Sequence, residues 1–289
     1  MSKLQYQPEK TPFNFLGINS TFSKSKVVVL PIPLEVTTSY IRGTKNGPKA
    51  IINASREIEF YDIELNEVIS KIGIFTVDSL KFSNKSYQEN FKHIYQSAKK
   101  LLKQNKFIVS LGGEHSLTHG LVKVFKEKYK NLSILQLDAH IDLRNEYEGT
   151  KFSHACAMSR CYELVDKIVH VGIRSMCEEE AENVKKNKIR TIHFAPKLDI
   201  EKILNQLSDN VYLTFDLDCF DLSIMPSVGT PEPGGLGWYE VLNLIKKVCQ
   251  KKNLVGFDVV ELCPIKYLVF PDFLSAKLIY KIIGYKFLV

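Results

Sequence analysis

Apolar residues along the chain fall into short, continuous runs that are separated by turn-forming residues. Runs of this length without apolar–polar alternation predict strands that are buried on both faces, as in a parallel sheet covered by helices. The predicted strands are residues 27–31, 72–77, 107–111, 133–137, 168–172, 191–194, 212–215 and 255–260.

Helical spacing separates several of these runs. Apolar residues recur every three or four positions between Phe91 and Leu102, and again between Leu117 and Phe125. Strand and helix therefore alternate, which predicts a three-layer α/β/α fold with a central parallel sheet of about eight strands. Ligands of such folds bind beyond the carboxyl ends of the strands. Residues 230–237 are expected to form a loop, and the apolar residues 278–289 either a core helix or an interface.

The composition is that of a globular protein. With 289 residues, 45% of them hydrophobic and 25% charged, the chain can bury a sizeable core, and we expect a single domain over residues 1–289. The net charge of +7 would suit nucleic acid, but the lysines are dispersed and are not interleaved with aromatic residues. We therefore interpret them as a solvated surface and expect no nucleic-acid partner.

Cysteine usage and the first residues indicate a compartment. The six cysteines include no CxxC pair, which favours reduced thiols over a disulfide framework. Residues 1–19 lack a signal-peptide pattern, and no apolar run reaches the roughly 18 residues of a membrane span. These features predict a cytoplasmic protein without a membrane partner.

Polar clusters directly follow three of the predicted strands. The first is GGEHS at residues 112–116, in which paired glycines allow a sharp turn that delivers His115 at the strand end. A histidine in such a turn is also compatible with a purely structural role. The second is DAHID, whose Asp138, His140 and Asp142 alternate and so point to the same side of an extended segment. Three like-facing polar groups at a buried strand end would be costly without a cation.

The third cluster places Asp216 and Asp218 two positions apart after the strand 212–215. Both are also compatible with a helix cap or a turn, as is Asp221. Two carboxylate pairs in one cleft, however, would repel each other strongly unless divalent cations lay between them. A ligand set of imidazoles and carboxylates favours Mn²⁺, with Fe²⁺, Co²⁺ and Zn²⁺ as weaker candidates. The candidate ligands are His115, Asp138, His140, Asp142, Asp216 and Asp218.

These clusters resemble the signatures of the ureohydrolase family, which includes arginase and agmatinase. They read GGEHS, DAHID and FDLDCFDLSIMPSVGTPEPGG, in the family's order and over most of the chain from Val27 onward. The resemblance implies the arginase-like fold, two manganese ions per subunit and a hydrolase that releases urea from a small cationic guanidino substrate. It also implies a homo-oligomer, either a trimer or a hexamer.

The resemblance also implies which residues hold each ion. Asp138 and Asp216 would bridge the two ions. Glu114 stands where many relatives have Asp, but that position is not a ligand. The first manganese would be bound by His115, Asp138, Asp142 and Asp216, and the second by Asp138, His140, Asp216 and Asp218.

A mechanism follows from charge and from the resemblance. A guanidinium carbon is deactivated by resonance, whereas a hydroxide held between two divalent ions has its pKa lowered toward about 7 and is fixed for attack. Asp142 could accept a hydrogen bond from that hydroxide. By resemblance, Glu261 would bind the guanidinium through both oxygens, and His154 would donate a proton to the departing amine. Without the resemblance, these two would be interpreted as an ordinary strand-end carboxylate and a structural histidine.

Two loops favour agmatinase over arginase. Residues 230–235 have the agmatinase form, and residues 142–149 (DLRNEYEG) lack the Asn, Thr and Ser series with which arginases hold an amino-acid carboxylate. Glu146 and Glu148 could bind a free amine tail, although solvent-facing carboxylates are the simpler interpretation. The predicted reaction converts agmatine to putrescine and urea, a step of polyamine biosynthesis.

Several alternatives stay open at this point. N1-aminopropylagmatine is a competing substrate because DLRNEYEG resembles relatives that use that longer polyamine, and arginine or another guanidino compound is a further alternative. A catalytically inactive, metal-binding homologue would keep the fold without turnover. An amide hydrolase of the histone-deacetylase type would have a similar fold but a single zinc ion.

Overall fold

The computed structural model describes residues 13–82 and 86–289. Two predictions therefore concern residues that lie partly outside the described ranges. They are the single domain over residues 1–289 and the lack of a signal-peptide pattern in residues 1–19. The ten strands are β1 (Val27–Ile32), β2 (Tyr61–Asp62), β3 (Glu67–Val68), β4 (Ile74–Thr76), β5 (Phe107–Gly112), β6 (Leu132–Leu137), β7 (Ile168–Ile173), β8 (Ile192–Phe194), β9 (Asn210–Asp216) and β10 (Asn253–Val260).

Helices connect these strands, and short 3₁₀ turns lie next to several of them. The turns that matter for the site are His115–Leu117, His154–Cys156 and Leu217–Cys219. The α-helices are α1 (Gly47–Ser55), α2 (Tyr87–Lys103), α3 (Thr118–Lys128), α4 (Ala157–Tyr162), α5 (Glu178–Lys186), α6 (Ile200–Gln206), α7 (Trp238–Lys251) and α8 (Phe270–Leu288).

Eight of the strands form one parallel sheet in the order β4-β1-β5-β10-β9-β6-β7-β8. Alternate strand residues face two apolar layers, which explains why the runs are apolar throughout. Val29, for example, faces the layer of α1, α6, α7 and α8, whereas Val28 faces that of α2, α3 and α4. The predicted three-layer α/β/α fold with a parallel sheet of eight strands is confirmed.

Strand order brings the polar clusters together. The four central strands lie side by side as β5, β10, β9 and β6, and the three clusters follow β5, β6 and β9. Because all strands of the sheet are parallel, their carboxyl ends meet at one edge. Glu261 follows β10 and so joins the same edge, between the GGEHS turn and the end of β9.

Element boundaries differ from the prediction in a few places. The predicted strand 72–77 begins only at Ile74, because a 3₁₀ turn over Ile69–Ile72 ends at Gly73, whose positive φ of 81° breaks the extended run. The short antiparallel pair β2–β3 was not predicted, since two residues are too few to show a periodicity. Residues 230–237 form the predicted loop.

The C-terminal apolar stretch belongs to the core. The helix α8 packs against α1 and α7 and buries Leu278, Ile279, Ile282 and Ile283. Of the two predicted alternatives, a core helix therefore fits this segment. All six cysteines carry free thiols. Among the described residues, no helix combines the length and the apolar character that crossing a membrane requires.

The turn after β5 tolerates only a hydrogen atom at Gly113. A Cβ there would lie 2.0 Å from the carbonyl oxygen of Leu34. We predict that Gly113→Ala lowers the free energy of unfolding by about 1–3 kcal/mol, because backbone atoms must move to relieve the contact. The measurement is urea-induced unfolding followed by circular dichroism.

Gly237→Ala is the matched control. The nearest atom to a Cβ at Gly237 is Oε2 of Glu240 at 3.2 Å, the end of a flexible side chain. This variant should lose less than about 1 kcal/mol. Equal losses in the two alanine variants would contradict the assignment of Gly113 as a close-contact position.

Candidate metal centre and active site

His115 occupies the middle of a group of aspartates at the carboxyl edge of the sheet. Its Nδ1 atom lies 3.2 Å from an oxygen of Asp138, 3.2 Å from one of Asp142 and 3.4 Å from one of Asp216. The imidazole is buried, and within the described part of the chain Nδ1 makes no hydrogen bond of acceptable geometry. A buried nitrogen that faces three carboxylates without bonding to them fits a metal ligand.

The opposite nitrogen of His115 has a defined partner. Nε2 lies 2.8 Å from the hydroxyl of Thr214, and that hydroxyl donates at 2.7 Å to Asp258. Because the Thr214 proton is directed to a carboxylate, Nε2 of His115 is the donor in the first contact. The neutral tautomer then keeps its lone pair on Nδ1, which is the arrangement that outer hydrogen bonds impose on metal-binding histidines.

A second group of ligand atoms surrounds His140. Its Nδ1 lies 2.9 Å from Asp218 and 3.7 Å from Asp138. Two sets of potential ligand atoms, each within 4.8 Å of one another, are His115 with Asp138 and Asp142, and Asp138 with His140 and Asp218. Asp138 is common to both sets. Asp216 touches both as well, since one oxygen faces His115 and the other accepts the backbone N–H of Asp218 at 3.0 Å.

Electrostatics show that the aspartates need a counter-charge. Burial, together with the negative charge of Asp218, raises the pKa of Asp138 to about 7 and the pKa of Asp216 well above its usual range. Burial also opposes ionisation of Asp218, but the neighbouring His140 holds its pKa at about 2. Burial opposes a proton on His115, yet the adjacent carboxylates of Asp138, Asp142 and Asp216 raise its pKa well above normal.

These groups fit two divalent cations. The six predicted ligands converge, two of the carboxylates resist ionisation in the absence of positive charge, and one histidine nitrogen is presented without a partner. All ligand atoms are oxygen or imidazole nitrogen, and no cysteine belongs to either set. Their division between two ions, as the resemblance implies it, stays a prediction.

Two site residues hold unusual backbone conformations. Asp142 and Glu261 have positive φ angles of 56° and 65°, and residues other than glycine rarely adopt such backbone angles. Such strain persists where the surrounding structure enforces it, and it concentrates at functional sites. In both cases the carboxylate approaches His115: an oxygen of Asp142 lies 3.2 Å from its Nδ1, and Oε1 of Glu261 accepts its backbone N–H.

Glu261 connects the metal centre with the GGEHS turn. Its Oε1 accepts the backbone N–H of His115 at 2.7 Å, and its own N–H donates to the carbonyl of Gly113 at 2.8 Å. Burial and the nearby charge of Glu114 raise the pKa of Glu261 well above its usual range. A cation beside this carboxylate would therefore be strongly favoured.

An open cavity of about 270 Å³ connects these groups with the surface. Its wall includes His154, which a 3₁₀ turn presents half-buried. His115, His140, Asp142, Asp216, His154 and Glu261 are the predicted site residues that line it. Asp138 and Asp218 lie behind them, almost completely buried.

The structure does not bring Glu146 or Glu148 into this wall. Both are exposed, and their role in binding a substrate tail stays a prediction. Instead, Arg144 and Tyr147 line the cavity, with the Arg144 guanidinium 4.5 Å from the centre of the Tyr147 ring. The buried carboxylate of Glu180 lines it too.

Sequence reasoning missed these lining residues because their loops have no periodicity. It also missed Thr214 and Asp258, which orient His115. A signal for the latter two exists: both are polar residues inside otherwise apolar strands, and buried polar groups need partners.

Comparisons with known proteins agree with this geometry. The model of the Arginase family matches residues 25–284. An N(1)-aminopropylagmatine ureohydrolase from Synechocystis sp. is 38% identical over 277 residues, which cover 92% of this chain and 90% of that protein. An agmatinase from Pyrococcus horikoshii is 32% identical over 264 residues, covering 89% and 90%.

A solved structure supports the same assignment. The agmatine ureohydrolase of Thermoplasma volcanium superimposes with a TM-score of 0.86 at 30% identity, covering 95% of this chain and 94% of that one. The predicted arginase-like fold and the resemblance to ureohydrolases are confirmed. With its family match over most of its length and a ligand cluster at the carboxyl edge of the sheet, this chain belongs to the Arginase family.

Proposed function

We propose that this protein is an agmatinase-like ureohydrolase, which hydrolyses the guanidino group of agmatine to urea and putrescine. The observation that carries the proposal is the convergence of two imidazoles, four aspartates and Glu261 at one cavity. Family membership and relatives named agmatinase support the reaction class. N1-aminopropylagmatine is the second candidate, because relatives from Synechocystis sp. and Thermus thermophilus that are 38% and 36% identical carry the name of that ureohydrolase.

The metal ions are proposed to be two Mn²⁺ per subunit, in keeping with the mixed oxygen and imidazole donors. When bound, they would supply Lewis-acid activation of water. His115, Asp138, Asp142 and Asp216 are proposed as ligands of one ion, and Asp138, His140, Asp216 and Asp218 as ligands of the other.

The remaining site residues act on the substrate. Glu261 is buried at the inner wall of the cavity, where its carboxylate can bind a planar guanidinium. Asp142, with its backbone held in a strained conformation, can orient the attacking water through a hydrogen bond. His154 lines the same cavity and can give a proton to the departing amine. The bound ions would supply the nucleophile for the guanidino carbon, and His154 would supply the proton for the amine that leaves.

Local charge explains the preference for a cation. Four aspartates balance two divalent ions, so Glu261 and the buried Glu180, set against the single guanidinium of Arg144, leave the cavity with a net negative charge even though the whole chain carries +7. Distant lysines contribute little, because salt screens charges beyond about 8–10 Å. The tail of the substrate extends toward the mouth, where Tyr147 and Glu180 line the wall and Glu146 and Glu148 are proposed to attract its amine from outside.

We also propose a cellular location, a domain organisation and an association state for the protein. Free thiols suit a cytoplasmic location. One domain over residues 1–289 and a homo-oligomer are proposed as well. Association is supported by the segment between β10 and α8 and the first turns of α8, where Ile265, Tyr267, Val269, Phe270 and Phe273 are 40–88% exposed.

The substrate proposal is tested by urea release from equal concentrations of agmatine, N1-aminopropylagmatine, arginine and guanidinobutyrate by the manganese-loaded protein. We expect agmatine to give the highest kcat/KM, with N1-aminopropylagmatine as the nearest competitor, and both to exceed arginine and guanidinobutyrate, because a negative cavity repels the carboxylate of those two compounds. A clear preference for arginine would refute the agmatinase assignment. Absence of urea from every compound would favour the inactive homologue.

The metal centre is tested by Asp138→Asn. Asp138 contributes to both ligand sets, so its loss should remove bound manganese and urea release together, from about two ions per chain in the wild type. Elemental analysis after loading and desalting measures the metal. Asp221→Asn is the control, since Asp221 accepts hydrogen bonds from Ser223 and Gly235 in a turn and should keep both properties.

Other outcomes of that measurement would be equally informative. Unchanged urea release by Asp138→Asn would show that the site assignment is wrong. About one zinc ion per chain, with no gain from manganese, would favour the amide-hydrolase alternative.

Association is tested by size-exclusion chromatography with light scattering. We expect a trimer or a hexamer, and we expect Tyr267→Lys combined with Val269→Lys to shift it toward smaller species, because charge replaces exposed apolar surface. Phe194→Lys, at a residue 66% exposed on the edge strand β8, is the control and should keep the wild-type mass. A monomeric wild type would contradict the proposal.

A further inference from the structure

The loop after β1 surrounds His154 with hydroxyl groups. Thr37 Oγ1 accepts the backbone N–H of His154 at 2.9 Å and lies 3.4 Å from its Nδ1. Ser39 Oγ lies 3.3 Å from Nε2, and Ser153 Oγ lies 3.3 Å from Nδ1. His154 is therefore positioned as much by this loop as by its own 3₁₀ turn.

Glu114 holds the same loop in place. One of its oxygens accepts the backbone N–H groups of Val36 and Thr37 at 2.5 and 2.6 Å. The other accepts the hydroxyls of Thr37 and Ser116 at 2.8 and 2.5 Å. The Glu114 carboxylate is completely buried, and these four neutral donors satisfy its hydrogen-bonding capacity in place of water. A buried charge with this many directed bonds fixes the position of the groups that donate to it.

These contacts have a direction. A carboxylate offers only acceptor oxygens, so the single hydroxyl proton of Thr37 points to Glu114. The lone pairs of Thr37 Oγ1 consequently face His154, where they accept its backbone N–H and can accept a proton on Nδ1. Glu114 thereby constrains the position of His154. By directing the hydroxyl proton of Thr37 away from the ring, it also favours a proton on Nδ1 of His154.

We propose that Glu114 is a positioning residue for the proton-donating His154, acting through the hydroxyl of Thr37. This inference rests on the proposed ureohydrolase function. It gives Glu114, which is not a metal ligand, a role in turnover: the carboxylate holds Thr37, and Thr37 holds the imidazole against the leaving group. The hydroxyl of Thr37 makes its hydrogen bonds with Glu114 and His154, so a change at Thr37 leaves Glu261 and the predicted metal ligands in place.

Thr37→Val is the first test, since it keeps the shape of the side chain and removes the hydroxyl. We expect kcat for urea release to fall at least about tenfold, while KM and bound manganese stay near their wild-type values. Thr37→Ser restores the hydroxyl and should recover most of kcat. An unchanged kcat in Thr37→Val would overturn the proposal.

A histidine-free background separates positioning from general stability. In His154→Ala, whose residual turnover needs long incubations, adding Thr37→Val should change kcat by less than about twofold, because the group that Thr37 positions is gone. A further tenfold loss would show that Thr37 acts elsewhere in the structure and would overturn the proposal.

Glu114→Gln completes the set. The amide keeps the length of the side chain but replaces one acceptor oxygen by a donor, so it cannot receive all four bonds. Its kcat should fall as in Thr37→Val, and the double variant should lose little more than either single one, since both break the same route. Additive losses in the double variant would contradict the proposed route.

Failure of the proposed function would be a different result. If the wild type itself releases no urea from any guanidino compound, the proposed function is wrong, whatever the variants at Thr37 and Glu114 show.

Discussion

Mutual repulsion among four buried aspartates is the constraint around which the site is built. Asp138, Asp142, Asp216 and Asp218 are at most 7% exposed, so water cannot screen them. Two unit charges about 4 Å apart interact with roughly 4 kcal/mol at an effective dielectric constant of about 20. Burial and the charge of Asp218 accordingly raise the pKa values of Asp138 and Asp216. Divalent cations would relieve the repulsion and would couple metal binding to the stability of the sheet edge.

The surrounding structure keeps these charges together despite the repulsion. Thr214 and Asp258 hold His115 so that one nitrogen faces the aspartates. The hydroxyl of Tyr212 donates to Asp258 at 2.7 Å and fixes this carboxylate in turn. All three lie on the central strands β9 and β10, inside the most buried part of the sheet. Strands, rather than loops, therefore carry the groups that orient His115, a predicted metal ligand, and such outer partners keep ligand geometry precise.

Much of this arrangement could be predicted from the sequence. Short apolar runs predicted the parallel sheet, because strands buried on both faces cannot show alternation. Asp138, His140 and Asp142 could be placed on one side by their spacing of two, and Asp216 and Asp218 likewise. The adjacency of β5, β10, β9 and β6 could not be derived, since strand order depends on contacts between distant segments. The parallel direction was sufficient to predict that the clusters meet at one edge.

Recognition of the substrate tail is harder to predict, for a physical reason. In the segment after Asp142, Arg144 and Tyr147 line the cavity while Glu146 and Glu148 face solvent, so neither a period of two nor one of 3.6 describes which side chains point inward. The positive φ angles of Asp142 and Glu148, 56° and 49°, reverse the chain at points that composition does not mark. Asp138, Asp216 and Glu261, which would meet the reacting end of the substrate, lie at or directly after strand ends, whereas Arg144 and Tyr147, which would meet its tail, lie in a loop. A change in this loop can therefore alter the proposed tail contacts without moving Asp138, Asp216 or Asp218.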